Sequence, residues 1–144
     1  MRDLMRESLI LLEREERLKE NLHDYAFVVF PAAKAYEGFL KKLFFDLKFI
    51  NKRQYTGDRF RVGKSLNPRL PKRYQWDWVY GRLAAYCGGE ELPEKMWEMW
   101  KRARNRIFHY FANHEEFITL EQARGRLEEI TQVMDEALTG CRMG

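Results

Sequence analysis

"DYAFVVFPAAKAYEGFLKKLFFDLK", residues 24–48, decides the fold class. Its apolar residues recur at spacings of three and four, the period of an α-helix and not of a strand. Phe27, Phe30, Tyr36, Phe39, Leu40, Leu43, Phe44 and Leu47 form a broad stripe that other elements must cover. Asp24 is placed to cap this helix, and Pro31 either kinks it or marks its true first turn.

The same period extends outward in both directions. "MRDLMRESLILLEREERLKE" predicts a first helix over about residues 3–20, with Leu4, Leu9, Leu11, Leu12 and Leu18 on its apolar side. "YQWDWVYGRLAAYC", residues 74–87, returns to helix, and Gly88-Gly89 ends it. Pro93 fits the first turn of a fourth helix running to about residue 112, with Met96, Trp97, Trp100, Ala103, Ile107 and Phe108 inward. "TLEQARGRLEEITQVMDEAL", residues 119–138, is a fifth, opened by a Thr119/Gln122 capping box. There is no repeat, low-complexity tract or linker. The expectation is one all-α domain over residues 1–144, a bundle of four to five helices with a basic loop insertion at about 51–74. Within that insertion "TGDRFRVG", residues 56–63, reads as a short hairpin or a structured loop.

A chain of 144 residues with 45% apolar and 33% charged residues is long enough, and balanced enough, to bury a core. No apolar run reaches the length of a membrane span, and the charged N-terminus is unlike a signal peptide. Cys87 and Cys141 are far apart in sequence and lack metal-ligand spacing, which predicts a reduced, cytoplasmic protein. The net charge of +4 is unevenly spread. Lys52, Arg53, Arg59, Arg61, Lys64, Arg69, Lys72 and Arg73 face the single acid Asp58 within residues 51–74, an excess of +7 that leaves −3 for the remainder. Such a strip suits an anionic partner, with nucleic acid ahead of membrane. Tyr55, Phe60, Tyr74 and Trp76 are interleaved with it, supplying rings for unpaired bases beside cations for phosphates. The plainer alternative is a solvated loop on a basic protein.

P-loop, GxGxxG, HExxH and GxSxG signatures are absent. His23, His109 and His114 sit singly, without zinc spacing, so neither a metal nor a cofactor is expected. "RARNRIFHYF", residues 102–111, carries the chemistry that remains. On an α-helix Asn105 and His109 share a face, Arg102 and His109 nearly do, and Arg104 stands about 140° from His109. Histidine shuttles a proton near neutral pH, and arginine neutralises charge on a phosphorane-like transition state. RNA brings its own nucleophile, the 2′-hydroxyl, so no metal is required. On the second helix Lys34, Glu37 and Lys41 form a polar strip at i, i+3 and i+7 that can add a carboxylate and a cation to the same cleft. Against this stands a solvent face with His109 capping carbonyls near a helix end.

"RNRIFH", residues 104–109, resembles the R-x4-6-H motif of the HEPN superfamily. "KAYEGFLKKLF", residues 34–44, is similar to the second-helix segment of the RNase LS-type toxin endoribonucleases within it. The resemblance covers about residues 24–115. It implies a HEPN-like bundle, a homodimer, and a metal-independent endoribonuclease of a toxin–antitoxin or anti-phage system. It implies Arg104, His109, Glu37 and Lys34 as the catalytic group, Asn105 in support, and Arg102 as the alternative motif arginine. The partners implied are RNA, a second copy and a cognate antitoxin protein, with no membrane. Two departures stand out. Those toxins carry additional N-terminal domains, and Lys34 stands where arginine is expected, losing two-pronged phosphate recognition. Tyr110 and Phe111 follow His109, so the H-x-Y form of HEPN toxins paired with a nucleotidyltransferase antitoxin is absent. The rival expectations are a non-catalytic HEPN-fold module binding RNA or protein, and a structural helical dimer anchored by Trp97 and Trp100.

Overall fold

A computed structural model of the chain describes residues 1–105 and 117–141. Among these residues all regular structure is helical: α1 Arg2–Leu18, α2 Ala26–Asp46, α3 Lys52–Thr56, α4 Val62–Leu66, α5 Tyr80–Cys87, α6 Glu91–Trp100 and α7 Leu120–Thr139. A 3-10 turn spans Lys72–Asp77, and a π-helical turn, Lys101–Asn105, follows α6. The all-α expectation therefore holds. The chain forms two compact units, Met1–Tyr36 with Met99–Gln132 and Glu37–Glu98 with Val133–Gly144; α2, α6 and α7 contribute to both.

In the first unit, α1 docks on α2 through one buried hydroxyl. Ser8 is fully buried, and its Oγ accepts a hydrogen bond of 2.9 Å from the backbone N–H of Ala32. That contact lies beside Pro31, which sits inside α2 and not in its first turn. Asp24 caps α2 as expected, accepting from Ala26 N at 3.1 Å, and it also accepts from Ile118 N at 3.3 Å. Tyr25 N donates to Ile118 O at 3.0 Å, so the leads into α2 and α7 are tied together. The capping box of α7 forms as its sequence requires: Gln122 N donates to Thr119 Oγ1 at 3.1 Å and Thr119 N to Gln122 Oε1 at 2.8 Å. Arg124 of α7 pairs with Glu16 of α1.

The apolar stripe of α2 differs from its sequence pattern at one end. Tyr36, Phe39, Leu40 and Phe44 are buried, but Phe27 and Phe30 are 41% and 55% exposed, and Val28, Val29, Ala32 and Ala33 take the inner face. Residues 26–33 are almost all apolar, so the helical period carries no information there about which side turns inward. The Ser8 contact at Ala32 selects the small-residue side.

In the second unit, residues 51–77 form short helical turns and no hairpin. Asn51 caps α3 through a reciprocal box, accepting from Gln54 N and donating its own N–H to Gln54 Oε1, both at 2.8 Å. Val62, Ser65 and Leu66 are buried with Phe60 while Lys64 is exposed, and this i, i+3, i+4 burial is the period of a helical turn, since an alternating strand would turn position 64 inward with 62 and 66. Val79 N donates to Ser65 O at 2.8 Å and Trp78 Nε1 to Asn67 O at 2.7 Å, closing the segment onto the start of α5. Gly88 ends α5 at φ 71°, a left-handed conformation that a side chain would strain. Pro93 lies in the first turn of α6, where Met96 and Trp97 are buried as expected; Trp100 and Ala103, which belong to the first unit, are buried too. Trp97 and Trp100 are thus covered within a single chain.

Cys87 and Cys141 are joined as a disulfide, with Cα atoms 4.7 Å apart. This corrects the expectation of two separate reduced thiols. A sequence separation of 54 says nothing about distance once the ends of α5 and α7 fall in the same unit. Disulfides persist in oxidising compartments, so the cysteines give no support to a cytoplasmic location. Among the described residues no helix is long and apolar enough to cross a membrane.

Three outcomes are expected. Thr119→Ala removes one half of the α7 box and lowers stability by about 1 kcal/mol in urea titrations. Reducing the disulfide, or Cys87→Ser, lowers it by about 2–4 kcal/mol through the freed unfolded chain. Burial, then the hydrogen bond donated at 3.1 Å to Glu94 Oε2, pushes the Tyr80 phenol up to about 12. The unfolded phenol ionises near 10, so above about pH 10 the unfolded chain binds fewer protons and stability falls until about pH 12. Tyr80→Phe removes that part of the decline.

Candidate functional site

The arginines of "RARNRIFHYF" lie partly in the π turn that continues α6. Sequence reasoning placed them by the 3.6-residue period, but i→i+5 bonding over Lys101–Asn105 changes how residues face within the turn. Ala103 points into the core, while Arg102 and Arg104 are half-buried. Arg102 NH1 lies 3.3 Å from Glu129 Oε2, and Arg126 NH1 lies 3.4 Å from Glu129 Oε1, so one carboxylate of α7 holds two guanidinium groups. The Arg104 guanidinium sits over the Trp100 ring at 5.2 Å, a cation–π contact. His109 and the side chain of Asn105 lie outside the described residues, as do Ile107 and Phe108.

On α2 the polar strip is present but its members have different uses. Lys34 is exposed and belongs to the first unit; Glu37 is half-buried and belongs to the second. Lys41, at the far end, donates to Gly57 O at 3.1 Å and so fastens the end of α3. That structural bond separates Lys41 from the group expected around a phosphate.

The basic segment is the best-defined candidate surface. Lys52, Arg53, Arg59, Arg61, Lys64, Arg69, Lys72 and Arg73 are all exposed. Their common exposure follows from the anchors beneath: the apolar residues turn in, the 3-10 turn is closed by Gln75 Nε2 donating to Leu70 O at 2.6 Å, and the cations remain in water. The four interleaved rings do not share one role. Phe60 is buried and offers no face to a ligand. Tyr55 is stacked on Phe45 at 4.7 Å. Tyr74 lies under Arg73 and Lys64, at 4.8 and 5.5 Å from its ring centre. Trp76 is 73% exposed and is the ring open to a partner.

Beside Trp76 the second unit opens into a cleft of about 810 Å³, lined among others by Phe49, Asn51, Gln54, Asp77 and Arg82. Arg82 NH1 donates to Phe49 O at 2.6 Å, which fixes its guanidinium at the edge. Sequence reasoning named Trp76 but missed the rest of this wall. Asn51-x-x-Gln54 carried a usable signal, since it is a capping-box pattern; the meeting of Phe49, Asp77 and Arg82 is tertiary and carries none.

The exposure of Trp76 has a direct readout. The other tryptophans are buried or half-buried, so Trp76→Phe is expected to remove most of the iodide-quenchable emission. Unchanged quenching would contradict an open Trp76 ring. No protein-family model, curated protein or solved structure matches the chain.

Proposed function

We propose that the chain is an RNA-binding, HEPN-like helical protein that cuts its bound RNA as a metal-independent endoribonuclease, in a toxin–antitoxin or anti-phage setting. The observation that carries the RNA part is the basic segment: eight exposed cations on a shape held by buried anchors, with one open tryptophan among them. Phosphates meet the cations without sequence preference, and unpaired bases stack on the ring. The catalytic part rests on the residue pattern of "RNRIFH" and "KAYEGFLKK". In that reading the RNA 2′-oxygen attacks the adjacent phosphorus, the bond from phosphorus to the 5′-oxygen breaks, and His109 takes or returns the proton. Arg104 and Lys34 stabilise the added charge and Glu37 assists; Asn105 supports, with Arg102 as the alternative arginine. The products carry a 2′,3′-cyclic phosphate and a 5′-hydroxyl. A homodimer, a cognate antitoxin and a cytoplasmic site of action belong to the same proposal, the last requiring that the fold also tolerate a reduced Cys87–Cys141 pair.

A second reading, an RNA-binding module that does not cut, has its own observation. Arg102 is engaged by Glu129, and Arg104 packs over Trp100, so both candidate motif arginines have structural contacts. Incubation of end-labelled RNA in EDTA separates the two readings. The nuclease reading expects cleavage that falls by about 100-fold or more in His109→Ala, while RNA affinity remains measurable. Cleavage at the wild-type rate in His109→Ala would sink it. If each site draws on two chains, mixing His109→Ala with Arg104→Ala chains restores part of the activity.

A further inference from the structure

The Cys87–Cys141 disulfide lies at an open edge of the second unit. Cys87 ends α5, Cys141 follows α7, and both are half-buried. Cys87, but not Cys141, lines a cleft of about 330 Å³ whose residues all belong to that unit. Gly88 and Gly89 form one side of it, and a Cβ at either would meet nothing within 4 Å, so the approach over them is open. Its charged residues are Glu91, Lys95 and Glu136, two carboxylates against one ammonium, with Lys95 Nζ 3.3 Å from Glu136 Oε2. Leu92, Thr139 and Gly140 complete the lining. Ala137 of α7 is buried, while Leu138, Thr139 and Gly140 beyond it are exposed, and the disulfide ties this last turn to α5. The start of α5 in turn anchors the basic segment, through Val79 N to Ser65 O and Arg82 NH1 to Phe49 O.

A disulfide opens when a thiolate attacks one sulfur and the other leaves. The cleft reaches Cys87, so the entering sulfur bonds to Cys87 Sγ, the bond to Cys141 breaks, and Cys141 leaves as a thiolate that takes up a proton. Cys141 stays near, being four residues from buried Ala137. A monothiol's mixed disulfide is therefore re-attacked by Cys141 with the advantage of an intramolecular group, and reverts. The second thiol of a dithiol has the same advantage. It attacks the reductant sulfur bonded to Cys87, Cys87 leaves and is protonated, and the reductant departs as its own disulfide. Two electrons and two protons pass to the cysteine pair. The excess of carboxylates in the wall also disfavours an anionic monothiol such as glutathione. We propose that Cys87–Cys141 is a reversible thiol–disulfide exchange site in the folded protein, entered through this cleft at Cys87 and reduced by a dithiol. The dithiol is a small molecule or the Cys-x-x-Cys pair of a reductase, which share this chemistry. The site is independent of the nuclease reading.

The test follows reduction of the native protein by dithiothreitol, by glutathione, and by thioredoxin with its reductase. Thiols are trapped with iodoacetamide and located by peptide mass spectrometry, in urea from zero to just below the unfolding transition. Reduction by dithiothreitol is expected at a rate that is flat in urea, because a route through global unfolding accelerates as denaturant raises the unfolded population. Gly89 lacks the positive φ of Gly88 and has open space beside it, so Gly89→Tyr should keep the urea midpoint. It should slow reduction by roughly 5-fold or more, as an access-controlled attack requires. Glutathione should leave the pair largely oxidised, with any trapped adduct on Cys87. Reduction by thioredoxin that Gly89→Tyr slows equally assigns a protein dithiol; reduction by dithiothreitol alone assigns a small one. Reduction that climbs with urea and ignores Gly89→Tyr would overturn the site, and so would an adduct on Cys141. A second variant guards against a folding defect in the first. In Cys141→Ser the lone Cys87 thiol should react with dithiobis(nitrobenzoate) in native buffer, and a thiol that reacts only in denaturing urea would overturn the proposal.

Discussion

A segment with an excess of seven positive charges keeps a defined shape only if something other than its charges holds it down. Here the anchors are few and buried: Phe60, Val62, Ser65 and Leu66, with Val79 N bonded to Ser65 O. Lys41 fastens the end of α3 from α2, and Trp78 bonds back to Asn67. Once these are placed, the eight cations have nowhere to go but outward, because none can be buried without a partner. Trp76 stays open for the same reason, being carried on a 3-10 turn whose backbone is pinned on either side. The candidate interface is thus a consequence of how the segment is anchored.

The first unit is organised differently, around polar contacts at helix ends. Asp24 serves α2 and the lead into α7 with one carboxylate oxygen, and Ser8 meets the backbone of α2 next to Pro31. Glu129 gathers two arginines, one of them from the π turn. A π turn widens a helix locally and often marks a working region, and this one carries both candidate motif arginines.

What was legible in the sequence was local. The Thr119/Gln122 box, the Asp24 cap, the glycine stop at Gly88 and the inward side of α6 each depend on residues within one turn of each other, and each is found. The inner face of the first turns of α2 was not legible, because every candidate side was apolar. Nor was the π turn, which breaks the period used to place Arg102 and Arg104. Of the hairpin and the structured loop read at residues 56–63, the hairpin does not form: residues 57–61 run as a loop between α3 and α4, and Val62, Ser65 and Leu66 are buried at the helical spacing. The disulfide was missed because sequence separation is no guide to a contact made by the ends of two helices. In the candidate site, composition exposed the cations but not the fate of their rings. Phe60 became an anchor, Tyr55 and Tyr74 were taken by neighbours, and only the long-range arrangement left Trp76 open beside Asp77 and Arg82.

The most direct measurement is the salt dependence of binding to a short single-stranded RNA. Each phosphate contact contributes about −0.7 to the slope of log affinity against log salt. If the exposed cations hold the backbone, the expected plot is linear with a slope of about −3 or steeper, as four or more contacts produce. Affinity that is absent, or that does not change with salt, would contradict an RNA-holding surface on this segment.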